Sequence, residues 1–300
     1  MTDTMFPPVD QCVSVMRLGL DALGDLERWM AKEHPGYESR TMAAIAFSEA
    51  GIGPWATGEQ LRLPTRMAMW VIVLDDYIEQ EITEREHLDE LVDRCNAVVR
   101  TGLRDDSHPL TASLSGWQEE ASALPTYPAL ASLWEESVAR TLDGYRYNWI
   151  AGWARERGEI PPGITMDVEE HLAHIGSSAI GQVHVPRWLT YGGDTLWEHM
   201  DVLLPALEDT HFVCRLANDL GTISRERDQP GQNNILMYEG VSEDWVRDLL
   251  GSRMASVRRH LAPLLAEGNL DAIGVLRLAE WCEYQYLGSH VGEFLVHGVD

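Results

Sequence analysis

Apolar residues recur every three to four positions along almost the whole of this 300-residue chain, and alternating β-branched runs are scarce. Apolar positions that repeat at about 3.6 residues share one face only on a helix, so sheet-based folds drop out. Helices are predicted at roughly 9–32, 39–50, 63–84, 86–103, 110–122, 127–157, 166–180, 184–192, 196–227, 242–267 and 270–292. Turn signals divide them: His34-Pro35-Gly36, Gly51-Ile52-Gly53-Pro54, Pro125, Gly158 through Gly163, Gly192-Gly193 and Pro230-Gly231. No stretch reads as an interdomain linker, an internal repeat or a low-complexity tract. Residues 1–300 are therefore expected to form one all-α domain with a sizeable core.

The formal net charge of -25, with 23 Lys and Arg against 48 Asp and Glu, argues against nucleic acids and anionic membrane surfaces as partners. No run of about 18 uncharged apolar residues occurs, so no membrane insertion is expected. The start, MTDTMFPPVD, has neither a basic nor an apolar signal region, and a cytoplasmic location is expected. Cys12, Cys95, Cys214 and Cys282 lie far apart and read as buried reduced thiols. Most of the 11 Trp read as core filler.

Two acidic clusters stand out. The first, Asp75-Asp76-Tyr77-Ile78-Glu79, ends an apolar helix. Asp75 and Glu79 are four apart and stack on one face, while Asp76 is turned about 100° away, as a bridge or outer support. Carboxylates crowded at the end of a buried stripe repel, and a hard divalent cation such as Mg²⁺ resolves that conflict. A solvated acidic helix end reads the same way, since Glu81, Glu84 and Glu86 follow.

The second cluster is more specific. Asn218, Thr222 and Glu226 recur at four-residue intervals, placing an amide oxygen, a hydroxyl and a carboxylate on one face. That is an all-oxygen ligand set for a small hard cation, although a polar surface face has the same look. Arg215 lies on the same side, where it could grip a phosphate in bidentate fashion, and Arg225 and Arg227 flank Glu226. Between the clusters, Gly176, Ser177, Ser178 and Gly181 weaken a helical segment, marking either a break or a close helix–helix contact.

These residues resemble a known family. Asp75-Asp76-Tyr-Ile-Glu79 is similar to the DDxx(D/E) motif of class I terpene synthases, and Asn218-Asp-Leu-Gly-Thr222-Ile-Ser-Arg-Glu226 fits their (N,D)Dxx(S,T)xxxE motif at every defined position. The resemblance covers roughly residues 60–290 and implies an α-helical bundle around a central apolar cavity. Arg215 three residues before Asn218, and Asn233-Asn234 before the next helix, look like the short bacterial kaurene-synthase-like diterpene cyclases. Many bacterial sesquiterpene cyclases instead carry an Arg about 46 residues upstream and a C-terminal Arg-Tyr pair. Here those places hold His171, His174 and Ile175, and Trp281-Cys-Glu-Tyr284-Gln-Tyr286. The DxDD acid of class II cyclases is missing, which speaks against cyclisation started by protonation.

The resemblance implies metal-assisted ionisation of an allylic diphosphate, copalyl (labdane-type) or geranylgeranyl, followed by carbocation cyclisation and release of diphosphate. Three Mg²⁺ ions would be held by Asp75, Asp76 and Glu79 on one wall and by Asn218, Thr222 and Glu226 on the other. Arg215, aided by Arg225 and Arg227, would bind the diphosphate. Cations carried by acidic residues would then replace a basic patch. Val71 and Ile72 would line the dry cavity that a carbocation needs. Tyr145, Trp149, Trp281 and Tyr284 could face the cation, with plain core packing the other reading. Gly176, Ser177 and Ser178 resemble the family's helix break. The rivals are a sesquiterpene synthase on farnesyl diphosphate, a prenyltransferase, and a non-catalytic isoprenoid-binding helical protein. A homodimer is expected by analogy with the fold family.

Overall fold

Backbone rules set the ends of most helices in the computed structural model, which describes residues 7–37 and 39–288. Pro8 precedes α1 (Val9–Glu33), and α2 (Ser39–Ile52) packs along it. The third helix, α3 (Gly58–Glu81), starts ahead of its predicted boundary because Thr57 and Gln60 form a reciprocal capping box, with bonds of 3.3 and 2.9 Å. That Thr-x-x-Gln signature stands in the sequence, and Pro64 falls inside the helix. Helices α4 (Arg85–Thr101) and α6 (Tyr127–Arg157) both end on glycines in the left-handed region, Gly102 and Gly158. Between them, α5 (Pro109–Ser122) opens on a proline.

The predicted helix at 166–180 is instead interrupted. It consists of α7 (Val168–Ala173) and a 3₁₀ turn (Ile175–Ser178), followed by α8 (Ile180–Tyr191). Ala179 terminates the turn at φ +56°, a conformation that a residue with a side chain rarely adopts. The turn lies against α6 so closely that a Cβ on Gly176 would strike the Arg140 carbonyl, and one on Gly144 the Ser177 amide. The break and the close packing, alternatives in the sequence, are therefore one feature. The chain continues through α9 (Met200–Glu226), α10 (Glu243–Ala266) and α11 (Leu270–Gly288); predicted helical residues 289–292 lie outside the described residues.

Helix α9 packs against both α10 and α11, and α3 against α8. One large apolar cluster runs through these elements. Trp70 and Trp134, both within it, bond their indole N–H to Leu110 C=O (3.1 Å) and Gln118 Oε1 (2.8 Å). Cys95, Cys214 and Cys282 are buried free thiols as expected, whereas Cys12 is exposed on α1.

A charged pair crosses the core between α2 and α8. Arg187 grips Glu49 through two hydrogen bonds, of 2.9 and 2.6 Å, with both side chains almost wholly buried. Removing one partner of such a pair leaves an uncompensated charge in a dry place. Glu49→Ala is accordingly expected to cost about 3–5 kcal/mol of stability, measurable by denaturant unfolding. A loss below about 1 kcal/mol would show that water reaches Arg187.

Candidate active site

The C-terminal half of α3 carries the first acidic cluster into the bundle. Asp75 sits deep in the protein's mass yet is only half-buried by accessible surface, which marks a group lining a recess. Burial, then repulsion from Glu79 and Asp76, pushes its carboxyl well above the usual range. Asp76 accepts a hydrogen bond from Tyr37 and so has a structural partner of its own. Glu79 is exposed at the rim, where Gln232 donates to Oε1 at 3.2 Å. That bond joins α3 to the loop that follows α9.

The second cluster sits on α9. Thr222 Oγ1 donates to the Asn218 carbonyl at 2.8 Å, which leaves its lone pairs free to accept. Glu226 is buried, and burial raises its pKa. The ionisation of Asp75 is opposed by Glu226 and favoured by Arg215, so the two clusters sense each other across the recess. Asn218 is half-buried on the same helix. Arg225 reaches Glu226 Oε1 at 3.7 Å from an exposed position, and Arg227 is exposed.

These donors fit a hard divalent cation. Both clusters offer oxygen, and two deep carboxylates on separate helices are held in charge conflict. The Thr222 and Glu226 oxygens also converge on one neutral hydrogen-bond donor, the amide of Asn234. Among the described residues no three His, Cys, Asp or Glu side chains form a metal-holding group by themselves, so the Asn218 and Thr222 oxygens would have to complete the set.

Arg215 is the hub of a buried network that the sequence reading only partly foresaw. Its Nη1 donates to Ser177 Oγ at 2.9 Å in the helix break, and its Nη2 to the Asn233 carbonyl in the loop after α9. Its Nε stands 3.0 Å from Asp219 Oδ1, an ion pair spanning one helical turn. Burial opposes ionisation of Asp219, but Arg215 and His171 outweigh it and hold the carboxyl below its usual value. Asp219 Oδ2 accepts from Ile235 N–H at 2.9 Å and from His171 Nε2 at 3.3 Å. Asn233 completes the set, donating to Asn148 Oδ1 at 3.1 Å and accepting from Tyr238 at 2.7 Å. Asp219 could have been found in the sequence: it sits one helical turn after Arg215, at ion-pair spacing.

The break is clamped from below by His211, one turn before Arg215. Its Nδ1 stands 2.9 Å from Ser178 Oγ, and it bonds the Ile175 backbone, which fixes the orientation of the ring. Burial pushes its pKa down to about 3. A histidine held neutral in the fold takes up its proton only on unfolding, near pH 6.5, so its contribution is present above that pH. It is lost as pH falls toward 3. His171 and His184 are also lowered by burial, while the raised carboxyls of Asp75 and Glu226 act in the opposite sense. Comparison with His211→Asn isolates the imidazole: between pH 6 and 4 the wild type should lose about 1.4 kcal/mol more stability per pH unit than the variant. Parallel pH profiles would contradict a neutral buried His211.

The aromatic candidates separate. Tyr145 on α6 is buried, and its hydroxyl pKa is raised by burial and then by Asp75, which puts the ring beside the first cluster. Trp281 on α11 is half-buried, with Tyr286 edge-on at 6.0 Å. Tyr284, expected at the cavity, is instead 74% exposed. Two residues on a helix turn the chain by about 200°, so Tyr286, not Tyr284, continues the buried row of Leu278 and Cys282. Asp75 also raises Tyr286. Trp149 is half-buried and packs against the core, and its indole N–H bonds the Ile82 carbonyl at 3.3 Å. It lines a groove of about 210 Å³ beyond the end of α3, with Trp153 and Arg157. Val71 is buried and Ile72 half-buried on α3.

No protein-family model matches the chain. Among solved structures, a linalool/nerolidol synthase from Streptomyces clavuligerus in complex with 2-fluorogeranyl diphosphate gives a TM-score of 0.68 at 16% identity, covering 88% of this chain and 94% of that one. A cucumene synthase variant gives a TM-score of 0.68 at 18% identity, covering 89% and 96%. These likenesses establish the fold, that of the class I terpene synthases. Over 274 residues the chain is also 43% identical to an ent-pimara-9(11),15-diene synthase from Streptomyces sp. (strain KO-3988), with 91% of each covered. The chain belongs to the class I terpene synthase family, enzymes of the lyase type. Among the described residues no helix is long and apolar enough to cross a membrane.

Proposed function

We propose that this terpene synthase is a diterpene cyclase. It ionises a twenty-carbon allylic diphosphate, copalyl (labdane-type) or geranylgeranyl, and cyclises the cation to a hydrocarbon or alcohol within one catalytic α-domain. The observation that carries the chemistry is the pair of oxygen-bearing clusters on separate helices, with Glu226 buried and Asp75 half-buried; burial opposes ionisation of both carboxyls, and Glu226 opposes that of Asp75. The diterpene substrate class is supported by the 43% identity to a synthase named for a pimaradiene.

Asp75 and Glu79 on α3, with Asn218, Thr222 and Glu226 on α9, would hold Mg²⁺. When bound, Mg²⁺ supplies Lewis-acid neutralisation of the leaving diphosphate. Arg215, paired through Nε with Asp219, stays protonated because Asp219 and Glu226 raise its pKa against burial, and its remaining Nη hydrogens would donate to a diphosphate oxygen. Ser177, tied to Arg215, couples the 3₁₀ break to the arrival of the diphosphate. Tyr145 and the half-buried Tyr286 present ring faces to the cation, and the apolar wall around Val71 excludes water.

The test is incubation with geranylgeranyl, copalyl and farnesyl diphosphates plus Mg²⁺, with gas chromatography of a hexane extract. Products from a twenty-carbon substrate support the reading. Product from farnesyl diphosphate alone replaces it with a sesquiterpene synthase, and no diphosphate release from any substrate overturns it.

A further inference from the structure

We propose that Asn234 is a positioning residue for the magnesium ligands, its carboxamide holding the Glu226 carboxylate and Thr222 hydroxyl in place before a cation arrives. The inference rests on the reading of Asn218, Thr222 and Glu226 as ligands. Asn234 lies in the segment after α9 and is wholly buried. The orientation of its amide is fixed by its surroundings. Oδ1 accepts the backbone N–H of Leu236 at 3.0 Å, capping the 3₁₀ turn Ile235–Met237, so Nδ2 must face the other way. There it meets three oxygens: the Asp219 carbonyl at 2.8 Å, Glu226 Oε2 at 3.0 Å and Thr222 Oγ1 at 3.4 Å.

Two hydrogens serve three acceptors, so the Thr222 contact is the weakest. The Asp219 carbonyl anchors the amide to α9, and the remaining donor capacity falls on two proposed ligands. Pinning Oε2 leaves Glu226 Oε1, which faces only the exposed Arg225 guanidinium at 3.7 Å, as the oxygen that would turn to a cation. Thr222 Oγ1 is held in the same grip, 2.8 Å from the Asn218 carbonyl to which it donates and 3.4 Å from the Asn234 amide. A helix cap alone does not require asparagine, since serine caps equally well. The additional reach and the NH₂ group serve only the contacts to α9. Outer groups of this kind fix ligand orientation, and their loss typically weakens metal binding about 10–100-fold.

Asn234→Ser keeps a cap for Leu236 but is too short to reach Glu226; Asn234→Thr has the same property and serves if the serine variant does not fold. Titration of the full-length protein with MgCl₂ in the presence of inorganic diphosphate, followed by calorimetry, reads metal affinity without turnover. The expected result is a Kd weakened about 10–100-fold. In the cyclisation assay, the KM for Mg²⁺ should rise by at least about tenfold and more than kcat falls. A merely structural defect would lower kcat or the folded fraction without moving metal affinity. Glu226→Ala is titrated alongside: wild-type affinity in that variant would sink the ligand assignment itself. If Glu226→Ala loses affinity while Asn234→Ser binds Mg²⁺ as tightly as wild type, Asn234 is only a cap and the inference is overturned.

Discussion

Glu226→Ala and Asn218→Ala should each lower kcat/KM by about two to three orders of magnitude or more, with the helical circular dichroism spectrum unchanged. That range is what removal of one preorganised group at a site of developing charge typically costs. Glu226 supplies the charged oxygen of the second cluster, and burial already penalises its ionisation. A protein keeps such a group only where a cation or donor repays the desolvation. Asn218→Asp retains an oxygen ligand and is expected to lose far less activity than Asn218→Ala. Wild-type rates from the alanine variants would remove the metal assignment.

Asp219→Ala should be the most destabilising single change in the site, costing about 3–5 kcal/mol and lowering Tm by roughly 10 °C. The carboxylate answers three groups at once: the buried Arg215 cation, the His171 ring and the Ile235 N–H. Without it Arg215 is left uncompensated, and the segment at Asn233–Ile235 loses one tether to α9. Activity should fall as well, since Arg215 would no longer be aimed. Asp219→Asn keeps the shape but not the charge, so it separates the two effects. Asn should recover part of the stability without restoring turnover. An unchanged Tm for the alanine variant would show that Arg215 finds its counter-charge elsewhere.

The second acidic cluster was legible because a helix repeats every 3.6 residues. Asn218, Thr222 and Glu226 share a face in any helix containing them, and Arg215 precedes them on that side. Tyr284 failed by the same rule applied too loosely. Its ring is exposed, whereas the buried row through Leu278 and Cys282 leads to Tyr286. Trp149 packs against the core, the other reading of its ring, and nothing in its sequence neighbourhood shows that the end of α3 will offer the Ile82 carbonyl to its indole.

By itself, then, the sequence determined the helices, the two acidic faces and the identity of the oxygen donors, because these depend on neighbours within one or two turns. The partners of Arg215 on the break and the loop, the collision of Gly144 with Ser177 that permits only glycine, and the Asn234 amide seated between Thr222 and Glu226 were decided by tertiary structure. Those contacts join segments brought together only by burial of the shared core. Their geometry depends on the packing distance between helices, a quantity that periodicity within one helix does not contain.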